Sequence, residues 1–175
     1  MVGVRVSLMA AVTPKGVIGR DNYLPWHYPE DLKKFRQVTL QETVVVLVGR
    51  KTWDSIPVSK TGEKLPGRKV LVLSSTFKLS AGNIAYTTII DDITLKALEK
   101  SGISELIVIG GAQVYELMEP YATHLYLSRI KENHEGNVKF PGFKDLLFKW
   151  AETSRETLSN TIDFVTYERK QGLKL

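Results

Sequence analysis

Cysteine is absent from this 175-residue sequence, which removes disulfides, thiol nucleophiles and Cys-based metal sites from consideration. Histidine is scarce: the three present, His27, His124 and His134, have no ligand spacing, so no metal is expected. No apolar run approaches the roughly 18–20 residues that span a bilayer, so no membrane partner is expected. The opening MVGVRVSLMAAV lacks a basic segment followed by a long apolar stretch and a cleavage site, and it reads as a first strand. Neither G-x-G-x-x-G nor GK[ST] occurs, so neither the standard dinucleotide fold nor a P-loop NTPase is indicated. Repeats, low-complexity tracts and linkers are missing too, and one domain over residues 1–175 is expected.

What is present is ordinary for a soluble protein with a real core: 43% hydrophobic and 25% charged residues. The absence of cysteine fits a reducing compartment, and a cytoplasmic location is the expectation. Lysine and arginine exceed aspartate and glutamate by 24 to 19, a net charge of +5. The basic residues come in scattered pairs such as Lys33-Lys34, Arg50-Lys51 and Arg68-Lys69, without a long arm or stripe. Such a field suits a small polyanion, a phosphorylated cofactor or carboxylate substrate, better than nucleic acid.

Apolar runs alternate with helical patterns along most of the chain. Strands are expected at Val4–Val12, Val44–Val48, Val70–Ser74, Ile84–Thr87 and Leu106–Ile109, and helices at Glu30–Leu40, Lys51–Ile56, Ile93–Lys100 and Gln113–Met118. Continuous runs such as VVVLV and LIVIG suggest strands covered on both faces, hence a largely parallel sheet with helices around it. HLYLSRI, WAETSRET and IDFVTYER alternate with no helix between them, which suggests antiparallel strands added at one edge. The expected class is α/β, a mixed and mostly parallel sheet of about eight strands with four helices.

Three strands end alike. VVVLVG runs into RKTWDSI, KVLVL into SSTF, and LIVIGG into AQVYELM. Ligands of open α/β sheets collect beyond the carboxyl ends of strands, where helix N-termini offer free N–H groups. Gly49, Gly110 and Gly111 allow close approach to the backbone, while Arg50, Lys51, Ser74 and Ser75 supply donors suited to a phosphate monoester. A glycine after a strand is usually only a tight turn, but three such ends tip the reading towards a nucleotide.

The stretch LPWHYPEDLKKF places a carboxylate in an awkward position. Pro29 fits a first helical turn. At about 100° per residue from Asp31, Phe35 falls near 40°, Leu32 near 100° and Val38 near 340°, whereas Lys33 and Gln37 fall near 200° and 240°. Complementing the helix dipole accounts for Glu30; it does not account for an acid inside the apolar arc. A desolvated carboxylate has a raised pKa, and a ligand donating hydrogen bonds offsets the cost. Leu32 and Phe35 would then grip a flat ring.

VSLMAAV, GVIGRDNYLPW, PEDLKKF, GRKTWDSI, LPGRKVLVLSS, IVIGGAQVYE and LYLSRI stand in the order and near the spacing of the dihydrofolate reductase family, which the chain resembles nearly end to end. The resemblance implies one α/β domain binding NADPH and dihydrofolate side by side, with hydride passing to C6 and a proton to N5. Asp31 matches the acid that holds the pterin, Trp26 the tryptophan beside it that helps hold an ordered water, and Ser128 a hydroxyl that bonds both acid and pterin. Met9, Leu32, Phe35, Ile56 and Ile109 match ring-packing positions; Leu65 and Arg68 match the site of the benzoyl-glutamate tail. On the NADPH side, Ala11, Ile18 and Gly19 match the nicotinamide lining, and Tyr115 a tyrosine near it. Gly49, Arg50, Lys51, Thr52, Leu73, Ser74 and Ser75 match the adenosine side. Gly110, Gly111, Ala112, Gln113 and Val114 match the pyrophosphate turn, whose Gly-Gly bond is cis in the family. Residues 13–27 match a mobile loop.

Several positions depart from the family pattern. Ser128 stands where threonine is usual, Val48 where methionine is frequent, and Gln113 where a basic residue is often seen. Asn137 replaces a frequent aspartate that latches the mobile loop, and PVSKTGEKLPGRK is longer than in short bacterial members. His27 reads as a surface residue, Trp53 and Trp150 as core. Two rivals remain: the related-fold NADPH-dependent reductase of riboflavin synthesis, against which PEDLKKF and LPGR weigh, and a basic nucleic-acid-binding module, which lacks any recognisable binding motif. A monomer is the expected state.

Overall fold

Alternating apolar residues send the side chains of each central strand into two separate cores, and the helices follow from that division. The computed structural model describes residues 3–21, 23–76 and 78–172. In chain order the elements are β1 (Arg5–Val12), β2 (Val17–Gly19), α1 (Pro29–Thr39), β3 (Val44–Gly49), α2 (Arg50–Ser55), β4 (Lys69–Leu73), β5 (Ile84–Thr87) and α3 (Asp92–Lys100). They continue with β6 (Glu105–Val108), α4 (Ala112–Met118), β7 (His124–Ile130), β8 (Val138–Lys139), α5 (Leu146–Lys149), β9 (Trp150–Thr157) and β10 (Ile162–Arg169).

Eight strands form one sheet in the order β5-β4-β3-β6-β1-β7-β10-β9, and β2 pairs with β8 apart from it. Pairing is parallel from β5 through to β7 and antiparallel at β7–β10 and β10–β9. On one face, Val6, Leu8, Val45, Leu47, Leu106 and Val108 pack with Val114, Tyr115 and Met118 of α4, and with Leu95 and Leu98 of α3. The other face divides into two clusters: Met9, Val44, Ile107 and Phe164 meet Phe35 and Val38 of α1, and Val48, Val70 and Val72 meet Trp53 of α2. Burial on both faces explains why VVVLV has no polar interruption. Trp53 and Trp150, 6% and 3% exposed, are core residues as expected.

The nine elements expected up to Met118 lie within a residue of their observed ends. The tail differs. HLYLSRI joins the two kinds of pairing: β7 pairs antiparallel with β10 on one side, as expected, and parallel with β1 on the other. A one-turn helix, α5, does separate β7 from β9, making five α-helices rather than four among the described residues. A single turn cannot display a 3.6-residue period, and the two- and three-residue strands β8 and β2 cannot display alternation, so pattern alone conceals all three.

Two crossovers set up the site. The β1-to-β3 connection carries α1 past β6, whereas the β6-to-β7 connection carries α4 past β1 in the opposite direction. The chain therefore parts beyond the carboxyl ends of the adjacent strands β6 and β1, which is where an open α/β sheet binds ligands.

Candidate active site at the carboxyl ends of the strands

Asp31 is delivered by the first turn of α1. Tyr28, extended at φ −123°, caps the helix without a side-chain hydrogen bond, and Pro29 follows at the first helical position. The Tyr28 carbonyl instead accepts from the backbone N–H of Asp31 at 3.1 Å and of Leu32 at 3.2 Å. Burial pushes the Asp31 carboxyl above the ordinary carboxylate range; the Ser128 hydroxyl opposes that shift by hydrogen bonding to it, and the Glu30 charge adds to it. Ser128, itself 2% exposed, lies opposite Ala11 in the β1–β7 register. Beside this group, the Trp26 indole Nε1 is buried without a hydrogen-bond partner among the described residues.

Apolar side chains continue the site. Phe35 and Ile109 pack against Met9, Ile107 and Phe164; Ile56, Leu65 and the same Ile109 pack against Val48, Trp53, Val70 and Val72. Ile109 thus bridges the two clusters. Leu32 is the exception: 47% exposed, it joins neither cluster, although the helical wheel placed it on the edge of the apolar arc. Lys34 is the other surprise of α1. Its side chain is only 19% exposed, with Nζ bonded to Glu156 at 2.7 Å and 4.8 Å above the Phe164 ring, an aliphatic stem lying along apolar surface with a charged tip paired.

Arg68 is 8% exposed. Its Nε donates to the Thr39 hydroxyl at 3.2 Å and an Nη to the Pro66 carbonyl at 3.2 Å, and its guanidinium lies 5.7 Å from the Phe35 ring centroid. Burial first, then the nearby Arg36 charge, lowers its pKa. None of these neighbours is an acid, and no carboxylate lies within ion-pairing distance among the described residues. A buried guanidinium held by neutral oxygens is set up to receive an anionic group from outside. Leu65 precedes it in the left-handed region at φ 51°, uncommon for a branched apolar residue. Thr39, which also back-bonds to the Phe35 carbonyl at 2.7 Å, is a partner of Arg68 that sequence reasoning missed; nothing in the pattern ties it to an arginine 29 positions away.

One residue past Ile109 the character of the site changes from side chain to backbone. Gly110–Gly111 is a cis peptide, with φ +124° at Gly110. Gly49 donates its N–H to the Gly110 carbonyl at 2.7 Å. A Cβ on Gly49 would lie 2.8 Å from a Val114 methyl, and one on Gly111 would lie 3.0 Å from the Thr52 hydroxyl. Gly49 and Gly111 are also the N-caps of α2 and α4, and neither helix has a side-chain cap. Their leading N–H groups are therefore available to an acceptor outside the chain. Closely fitted glycines and uncapped helix starts fit a phosphorylated cofactor. Tyr115 reaches the same place from the opposite face: it is buried, its hydroxyl donates to the Met9 carbonyl at 2.6 Å, and burial pushes its pKa well up.

Farther out, Ser74 is 4% exposed, its Oγ 3.2 Å from the Thr76 hydroxyl. Ser75, Lys51 and Gln113 are exposed, whereas Ala112, Thr52 and Leu73 are half-buried. Arg50 bonds Asp54 at 2.9 Å on the α2 surface. Ile18 and Gly19 lie on β2, Gly19 buried and Ile18 half-buried against the α4-side core. The turn after β2 is held at a distance: Asn137 accepts from the Asp21 N–H at 2.7 Å and donates to the Asp21 carboxylate at 3.0 Å. His27 is exposed.

An acid that burial disfavours in its charged form and two uncapped, glycine-led helix starts thus lie around the carboxyl ends of the parallel strands, an arrangement that suits a reductase taking a flat heterocycle beside a phosphorylated cofactor. The family model described as dihydrofolate reductase matches residues 5–169, and the chain belongs to that family. The chain is 40% identical over 171 residues to the dihydrofolate reductase HdrB of Haloferax volcanii, covering 96% of this chain and 85% of that one. It is 33% identical over 173 residues to the dihydrofolate reductase of Bacillus subtilis (strain 168), covering 97% of each. Among solved structures, the Enterococcus faecalis dihydrofolate reductase complexed with NADP(H) and RAB-propyl superposes with a TM-score of 0.76 at 26% identity, over 95% of this chain and 97% of that one.

Proposed function

We propose that the chain reduces 7,8-dihydrofolate to tetrahydrofolate with NADPH. The observation that carries this reading is the Asp31 carboxylate, held where burial disfavours its charge, on the same side of the sheet as Met9 and Phe35. A heterocycle that donates N–H groups to that carboxylate removes the penalty, which makes binding specific for an amidine edge.

NADPH supplies the hydride; the chain's contribution is alignment and electrostatics. In this reading Asp31 holds the pterin and, assisted by Ser128, polarises it so that N5 is protonated through water. The orphan Nε1 of Trp26 is the donor that fixes such a water. Phe35, Ile56, Leu65 and Ile109 pack on the ring system and its benzoyl extension, with Leu32 closing over it from its exposed position. Arg68 pairs the tail carboxylate that its own surroundings withhold. Gly49, Gly110, Gly111, Ala112, Gln113, Val114 and Thr52 cradle the pyrophosphate; Arg50, Lys51, Leu73, Ser74 and Ser75 serve the adenosine phosphate; Ala11, Ile18, Gly19 and Tyr115 line the nicotinamide. The same reading gives a cytoplasmic monomer serving folate-dependent one-carbon metabolism.

The test is NADPH oxidation followed with dihydrofolate, without it, and with a ribosylamino-pyrimidine in its place, then repeated with NADH. Oxidation that requires dihydrofolate and favours NADPH is expected. Turnover of the pyrimidine instead would transfer the chain to the riboflavin branch of the fold.

A further inference from the structure

The segment joining β7 to β8 carries a polar cluster that none of the roles above uses. The Tyr28 hydroxyl donates to Glu132 Oε2 at 2.9 Å and lies 2.8 Å from His134 Nε2. A phenol has one proton, so with the carboxylate accepting it, His134 Nε2–H must donate to the phenolic oxygen. Burial first, then the Glu132 hydrogen bond and charge, pushes the Tyr28 pKa up to about 12, which keeps that proton in place. The imidazole is also an aromatic spacer: its centroid is 5.4 Å from the Trp26 ring, tilted 52°, and it meets the Tyr28 ring edge-on at 5.9 Å. Its side chain is 24% exposed. Between Trp26 and Tyr28 runs the turn that opens α1, and the Tyr28 carbonyl takes the Asp31 N–H.

Building on the reductase reading, we infer that His134 is a positioning residue for the reduction: clamped to the Tyr28 hydroxyl and packed on the Trp26 indole, it fixes the turn that sets Asp31 and Trp26 in the crevice. The clamp acts across the chain, since Tyr28 and His134 are 106 residues apart and belong to segments that share no strand pairing. Loss of the imidazole frees the indole on one side and leaves the phenolic oxygen with only its acceptor. The acid then keeps its chemistry but loses its placement, and small misplacements at a reacting centre are costly in rate, up to about 10²-fold. The cofactor cradle lies on the other side of the crevice and is untouched.

The experiment compares wild type, His134→Ala, His134→Gln, Tyr28→Phe and the His134→Ala/Tyr28→Phe double variant. His134→Ala is expected to lower kcat/KM for dihydrofolate about 10-fold with NADPH affinity within twofold of wild type. His134→Gln, which keeps a side-chain N–H for the phenol, recovers most of the loss. Tyr28→Phe reproduces it with the removal of a single oxygen, so the test survives if His134→Ala folds poorly. The double variant is no worse than either single change, because both break one clamp. In the NMR spectrum the indole N–H resonance of Trp26, assigned with Trp26→Phe, moves in both single variants without any substrate present. Unchanged kcat/KM in His134→Ala, or full additivity in the double variant, overturns the clamp. A wild-type enzyme inactive on dihydrofolate would instead remove the reductase reading, while the indole resonance would still judge the clamp.

Discussion

The two ends of the crevice are built on opposite plans. At the Asp31 end the candidate binding groups are side chains short of partners among the described residues: a desolvated carboxyl, an indole N–H with no acceptor and a guanidinium bonded only to neutral oxygens. At the glycine end the binding groups are backbone N–H donors shaped by tight packing around Gly49 and Gly111, with exposed or half-exposed side chains such as Lys51, Ser75 and Arg50 around them. On the proposed reading, the first end gains its missing partners from a ligand, whereas the second is already close-packed. Substitutions at the first should therefore separate activity from stability, and substitutions at the second should damage both.

The largest effect is expected from Asp31→Asn. Turnover near neutral pH should fall about 10²–10⁴-fold, the usual scale of acid–base groups, with the fold and NADPH binding intact. Acidic buffer should restore part of the rate by protonating the substrate in advance. Steady-state kinetics from pH 5 to 8 checks this, and equal neutral-pH rates would take the acid out of the chemistry. Next comes Arg68→Leu. Losing a charge-assisted contact of about 1.5–3 kcal/mol should raise KM for dihydrofolate roughly 10- to 150-fold while kcat holds. A substrate analogue lacking the tail carboxylate should show no difference between variant and wild type.

Gly49→Ala examines the other plan. The added methyl meets Val114 at 2.8 Å inside a packed core, a collision that costs about 1–3 kcal/mol. For a chain of this size each kcal/mol lowers Tm by about 2–4 °C. Thermal melts and NADPH titration should show stability and cofactor affinity falling together. A variant that binds NADPH as well as wild type would break the contrast between the two ends.

The same contrast decides what the sequence makes legible. Close-packed backbone leaves local marks: apolar strands, a glycine at each strand end, helices starting where the strand stops. These placed the central elements within a residue and pointed to Gly49, Gly110 and Gly111, which the fold brings together. Asp31 was visible too, because its anomaly lies within one helix, an acid in the apolar arc. The partners that hold the side-chain end are long-range. Thr39 under Arg68 and His134 against Trp26 are joined only by the fold, and their sequence separations of 29 and 106 (the latter for His134 and Tyr28) carry no periodic signal. Leu32 shows a related limit: helical geometry gives an angle but not what lies opposite it, and at this position the side chain is 47% exposed.

The smallest effect is the sharpest probe of the unsatisfied end. In the folded chain burial raises the Asp31 pKa above its unfolded value, so the native state holds that proton more tightly than the unfolded one. The favourable contribution is then complete below the unfolded carboxylate pKa of about 3.9 and is lost as pH rises through the folded value. At neutral pH the ionised side chain costs the unliganded protein stability, and a neutral amide of the same shape does not. Asp31→Asn should therefore melt higher than wild type at pH 7, by about 2–4 °C for a gain on the order of 1 kcal/mol, and the gap should close as the melts are repeated towards pH 3.5. Dihydrofolate should narrow it as well, since bound ligand restores partners to the carboxylate. A variant that melts at or below wild type at pH 7 would mean that the acid is already satisfied within the chain, and the two ends of the crevice would differ only in their chemistry.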